Sequence, residues 1–275
     1  MIYSVQHLRA FAAILVVMVH VRGGLLPAES YYLGVNLSEA NITFTFAAGF
    51  LFQRLSMNEP FYSFIRRRFI NVLIPYFIVS IPAICLYMLG KSHPNLDLSQ
   101  IPNYALPVYL LLTGLHLGPL WFIPMIFTIY LVTPALKLLD RSVFFYAAFI
   151  AVGMILATWV FRRPEFDENP IIAALHYVPV FVFGMATSRC NDAFYPYMKS
   201  LTACAVAALC FIAISVFDTY YAVDPYHYPI KVVMLFCAFV VATYFSDFRS
   251  PVVDKLAGYS FGIYFLHGYA VAVMR

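Results

Sequence analysis

Arg9 and His20 bracket a run of ten apolar residues, Ala10 to Val19. Their side chains differ in chemistry. A guanidinium is a permanent cation that grips oxyanions, and a neutral imidazole can take a proton from a hydroxyl, the task of a general base. Eleven residues at ~100° each end about 20° past three full turns, so in a helix both residues share one face, about 16 Å apart along the axis. That is roughly half the thickness of a bilayer's hydrocarbon core. The run between them is too short to span by itself, so the span takes in one or both. Ionisable residues inside a membrane are costly and are functional candidates by default. The plain alternatives are a snorkelling interfacial anchor for Arg9 and an interhelical hydrogen bond for His20.

Three other groups of residues can do chemistry. Arg66-Arg67-Arg68 opens the third apolar segment. Clustered arginine at a helix end is a topology signal, and its planar forks also suit phosphates or an acyl thioester cofactor. His116 and Trp121 lie where the fourth segment begins. Trp121 reads as an aromatic-belt residue, and His116 as a neighbour for a polar substrate near the His20 end of the first helix. Ser260, Tyr264 and His267 fall at i, i+4 and i+7 of the last segment, a polar stripe that should face the bundle interior as glue or cavity lining. Ala47-Ala48-Gly49 in the second segment is small enough for close helix contact. His7, His93, His176 and His227 read as interfacial or loop residues. The five cysteines are scattered, without a Cys-x-x-Cys pair, so neither a metal nor a redox site is expected.

These residues must be positioned by membrane helices. Of 275 residues, 63% are hydrophobic and 11% charged, with a mean hydropathy of +0.82. Soluble domains carry about 25% charge. The apolar stretches are long and continuous, unlike the ~10-residue alternating strands of an outer-membrane barrel. The expectation is an all-α, polytopic transmembrane bundle formed as a single domain over 1–275. Nine apolar segments lie at about 5–25, 41–56, 70–90, 119–138, 143–161, 170–188, 201–217, 228–246 and 257–274. The weaker stretch Tyr104 to Leu115, which contains Pro107, could supply a tenth span or a re-entrant piece. No cleavable signal follows the first run. With the N-terminus in the cytoplasm, eleven basic residues fall on that side: Arg9, Arg54, Arg66, Arg67, Arg68, Lys137, Arg141, Arg189, Lys199, Arg249 and Lys255. Six fall outside: Arg22, Lys91, Arg162, Arg163, Lys231 and Arg275. This agrees with the positive-inside rule. The longest polar segment, Lys91 to Gly118, would lie outside as a structured loop. No basic tail points to nucleic acid. There is no Gly-rich phosphate loop, no Gly-x-Ser-x-Gly elbow and no His-Glu-x-x-His. Asp and Glu lie almost wholly in loops, which weakens a proton-coupled transporter.

The spacing of Arg9 and His20 resembles the signature of the membrane-bound acyltransferase-3 family, which modifies sugars and polysaccharides. Four further stretches follow in the same order: Phe46 to Phe52, Arg66 to Tyr76, His116 to Pro134 and Gly258 to His267. Leu120 to Pro124 and Tyr259 to Tyr264 are similar to members acting on exopolysaccharides. The resemblance implies an O-acyltransferase of the bacterial inner membrane, most simply an acetyltransferase. It would carry an acyl group from cytoplasmic acyl-CoA, with acetyl-CoA the first candidate, to a hydroxyl of a surface glycan or its lipid-linked precursor. By the same resemblance His20 would be the base, Arg9 would position it or the donor, and Arg67 and Arg68 would help hold the CoA phosphates. At Asn71 the chain departs from the family, in which many members carry a second basic residue three positions after the arginine. Many members also have ten spans. A polysaccharide exporter and an accessory membrane subunit are the rival readings.

Overall fold

The computed structural model describes residues 2–25, 40–89, 101–162, 169–221 and 226–274. Residues 91–100 of the predicted outer loop, His93 among them, lie outside these. Among the described residues there are helices and turns and no strand. The chain runs α1 (Ile2–Leu25), α2 (Ala40–Leu51), α3 (Phe61–Arg68), α4 (Ile74–Met88), α5 (Leu106–Thr113), α6 (Phe122–Leu131), α7 (Thr133–Leu136), α8 (Val143–Trp159), α9 (Pro170–Met198), α10 (Leu201–Tyr220), α11 (His227–Tyr244) and α12 (Pro251–Met274).

The described residues of all nine predicted apolar segments are mostly helical, and Tyr104 to Leu115 contains the short α5. Five helices among the described residues are long and apolar enough to cross a membrane. A sixth results if α5 is joined to Gly118–Leu131 across a 74° bend. The sequence suggested nine to ten spans. Part of the difference is that α2 and α8 are only 12 and 17 residues long. A π turn, Phe52–Ser56, follows α2, and another, Phe69–Leu73, joins α3 to α4. The bend after α5 has a local cause. Gly114 caps the helix at φ 76°, and a Cβ there would overlap the backbone of Leu120 and Trp121. Glycine is needed on both counts. Where helices start, the sequence supplies caps: Ser142, Asn169 and Ser200 accept hydrogen bonds from the first backbone N–H groups of α8, α9 and α10,.

Between membrane helices there is little hydrophobic drive, so packing comes from close van der Waals contact. Gly49 of α2 and Gly184 of α9 let two backbones touch. A Cβ at Gly49 would overlap the carbonyl of Phe181, and one at Gly184 the carbonyl of Phe46. Around this crossing lie Phe46, Phe50 and Phe239, with ring centroids 5.4 and 5.7 Å from Phe239. Phe52 packs 5.1 Å from Phe64 and 5.8 Å from Phe181.

The last helix docks differently. Pro82 interrupts α4. There the Tyr269 hydroxyl of α12 enters the backbone ladder, accepting from Ala83 N at 3.2 Å and donating to the Val79 carbonyl. Backbone groups freed beside a proline need such partners in lipid. Ion pairs gather at the end of the bundle that carries Arg9: Arg54 with Asp192, Arg67 with Glu59, Arg189 with Asp140 and Lys199 with Asp247.

Candidate active site

Both ends of the Arg9–His20 face meet α12. Arg9 Nη2 donates to Ser260 Oγ at 3.0 Å. The Ser260 hydroxyl spends its own proton on the Ala257 carbonyl, 2.8 Å away, so its lone pair is the part turned to the guanidinium. Seven residues on, the ring of His267 lies 5.1 Å from that of His20. Between these two contacts sits Tyr264, whose hydroxyl donates to the Pro119 carbonyl and whose ring packs 5.7 Å from His267. Ser260, Tyr264 and His267 are all buried. The stripe therefore lies along α1, with a hydrogen bond at Arg9 and a ring contact at His20.

Arg9 opens onto a cavity of ≈ 250 Å³. Arg68, Asn71, Tyr130 and Tyr264 line it too, with an apolar wall that includes Phe44, Ala47, Ala48 and Phe122. The arginine triplet thus divides. Arg66 is exposed, and Arg67 is exposed and held by Glu59. Arg68 turns inward, its guanidinium 5.1 and 5.2 Å from the ring centroids of Phe64 and Tyr130. Its Nε is buried without a hydrogen-bond partner. The π turn begins at the next residue, and Arg68 and Asn71 face the same cavity across it. Such turns are often found at functional sites. Among the described residues, none that lines the cavity is acidic. Cations facing a half-closed space without a carboxylate favour an anion there.

The structure places the remaining candidates elsewhere. His116 is held in its own pocket. Its Nδ1 meets the Leu110 carbonyl at 2.9 Å and its Nε2 the Ser80 hydroxyl at 2.8 Å, with the Tyr76 ring 5.9 Å away. Both ring nitrogens are thus engaged by the protein. Trp121 is not a belt residue: it is 5% exposed, in a 3-10 turn, with its ring 5.8 Å from Tyr177. His20 is half-buried and is not among the residues that line the Arg9 cavity, so Tyr264 and His267 connect the two.

Two expectations from the sequence need correction. His176 is neither interfacial nor in a loop. It is buried in α9, with Nδ1 on the Ala157 and Phe161 carbonyls and the Tyr228 ring 3.9 Å away. Asp218 is not a loop carboxylate, because α10 continues to Tyr220. It is fully buried, and its Oδ1 pairs with His227 Nδ1 at 2.7 Å. Neither partner shows in a hydropathy profile, since the pair forms between two helices. Tyr130, stacked beneath Arg68, was also missed. It is one aromatic among many in an apolar run, and nothing in its spacing marks it.

No curated protein and no solved structure matches the chain. The profile of one family, described as an acyltransferase domain, matches residues 2–275. Because this match spans nearly the whole chain, the protein belongs to the acyltransferase-3 family and, with its long apolar helices, is a multi-pass membrane acyltransferase.

Proposed function

We propose that this acyltransferase moves an acyl group, acetyl in the first instance, from acyl-CoA to a hydroxyl of a cell-surface polysaccharide or its lipid-linked precursor. It would sit in the bacterial inner membrane with its N-terminus cytoplasmic, so that Arg9 and the ion-paired end of the bundle face the donor. One observation carries this reading: Arg9 and Arg68 face one cavity that, among the described residues, no carboxylate lines. A thioester with its phosphates brings the anionic charge that two such guanidinium groups favour. The cavity is below the ~300–1,000 Å³ of pockets that enclose whole drug-sized ligands, so it would take one end of the donor. Arg66 and Arg67, outside it, would meet the phosphates that remain at the surface.

The chemistry needs little more than a base, positioning and charge stabilisation, because a thioester is already activated. His20 takes the proton from the acceptor hydroxyl. The oxygen bonds to the thioester carbon, the carbon–sulfur bond breaks, and the departing thiolate takes the proton. Arg9, fixed by Ser260, orients the donor and offsets negative charge. Membrane vesicles given radiolabelled acetyl-CoA test this. His20→Ala should abolish labelling of the glycan while glycan export continues. Unchanged labelling with failed export would instead favour an exporter, and unchanged labelling with unchanged export an accessory role for this chain.

A further inference from the structure

A phenol stands with the two guanidinium groups at the Arg9 cavity. Tyr130, near the end of α6, is buried and lines that cavity. The Arg68 guanidinium lies 5.2 Å from its ring centroid, and the charges of Arg68 and Arg9 both act on its hydroxyl. The ring is held on two further sides. Phe64 meets it edge-on at 5.5 Å, and Phe181 packs at 6.3 Å. Thr133 Oγ1 donates to its backbone carbonyl at 2.7 Å. Tyr264, the other phenol on the cavity wall, spends its proton on the Pro119 carbonyl. The Tyr130 hydroxyl has no such acceptor among the described residues.

Two permanent cations and one O–H donor around a small space suit an oxyanion with several acceptor oxygens, and a phosphate is such a group. A thioester carbonyl offers one uncharged oxygen, and would leave both cations without a counter-charge. Distance points the same way. Arg9 and His20 are about 16 Å apart along α1. In an acyl-CoA, about thirteen bonds separate the thioester sulfur from the nearest phosphorus, roughly 15 Å in an extended chain. A phosphate at Arg9 therefore leaves the thioester level with His20, whereas a thioester at Arg9 would lie out of its reach. We propose that Tyr130 is a donor-binding residue. Its hydroxyl donates a hydrogen bond to the phosphate nearest the pantetheine arm, which sits between Arg9 and Arg68.

The proposal rests on the donor being an acyl-CoA. Within that reading it says which part of the donor the cavity takes: a phosphate, not the acyl end. It also gives Tyr130 two tasks. The hydroxyl adds a neutral hydrogen-bond donor beside the cations. The ring face directs the Arg68 guanidinium through a cation–π contact, where a carboxylate partner would cancel the charge that the phosphate needs.

The test is competition against transfer from radiolabelled acetyl-CoA, in the full-length protein in permeabilised vesicles. The competitors are pantetheine and 4′-phosphopantetheine, which differ by one phosphate. In the native protein the phosphate should tighten inhibition on the order of 100-fold. Tyr130→Phe removes one oxygen and keeps the ring under Arg68. It should cut that advantage roughly tenfold and raise KM for acetyl-CoA by a similar factor, with kcat and inhibition by pantetheine unchanged. Equal potency of the two competitors on the native protein would overturn the proposal, because the cavity would then hold no phosphate. So would an undiminished phosphate advantage in Tyr130→Phe, or an equal loss of affinity for both competitors. If Tyr130→Phe does not accumulate in the membrane, Tyr130→Met takes its place and is read by the same ratio. If the native protein transfers nothing from acetyl-CoA, the donor reading fails and this proposal with it. If it does transfer and the ratio is the same in Tyr130→Phe, only the present proposal falls.

Discussion

The α2–α9 crossing and the α1–α12 seam are both close helix contacts, made in opposite ways. At the first, Gly49 and Gly184 bring backbones together and aromatic rings fill the flanks. At the second, Ser260 accepts from Arg9, Tyr264 donates to the Pro119 carbonyl, and the His267 ring lies against that of His20. Dry packing leaves no freedom, because any added atom meets backbone. A polar seam can keep unpaired polar atoms, such as His267 Nε2. The first arrangement suits stability and the second suits chemistry, so substitutions at the two places should fail differently.

The largest effect is expected at the dry crossing. Gly49→Ala puts a Cβ into the Phe181 carbonyl. Neither backbone can yield cheaply, so about 3 kcal/mol or more of stability should be lost, read as loss of membrane accumulation or of thermal stability in detergent. A Gly49→Ala protein of normal stability would remove one side of the contrast.

Next comes the cavity. Arg68→Gln removes a guanidinium that faces the Arg9 cavity, and charged hydrogen bonds contribute about 1.5–3 kcal/mol. KM for acetyl-CoA should therefore rise roughly 10- to 100-fold. Arg66→Gln, on an exposed side chain outside the cavity, should change it by less than about threefold. Equal effects would mean that the triplet acts only as a surface charge.

The smallest effect on the fold is expected at the seam. Ser260→Ala removes the acceptor for Arg9. Interhelical hydrogen bonds in membranes average about 0.6 kcal/mol, so thermal stability should barely move while transfer slows roughly tenfold through loss of Arg9 orientation. If Ser260→Ala were as unstable as Gly49→Ala, the seam would be structural glue.

Much of this was legible in the chain itself. Hydropathy found the helical segments, because lipid requires every spanning backbone group to be bonded internally. The eleven-residue spacing put Arg9 and His20 on one face, because helical periodicity is fixed by the backbone. The i, i+4, i+7 pattern marked Ser260, Tyr264 and His267 as a stripe for the same reason. The bend at Gly114 was flagged only as glycine and proline in a polar segment. Its 74° angle goes with the backbone of Leu120 and Trp121 closing over the glycine within seven residues, a local contact that a hydropathy profile does not report.

By itself the sequence determined the all-helical class, the shared face of Arg9 and His20 and the polar stripe of the last helix. All three follow from local backbone geometry and solvent preference. Only the tertiary structure decided that the stripe lies along that face, that Arg68 rather than Arg66 or Arg67 turns into the Arg9 cavity, and that His116 is bound to Ser80 and Leu110. These depend on which helices become neighbours and on the π turn after Arg68. Neighbour choice is a property of the packed bundle, summed over many weak contacts between distant segments, and no stretch of sequence carries it alone.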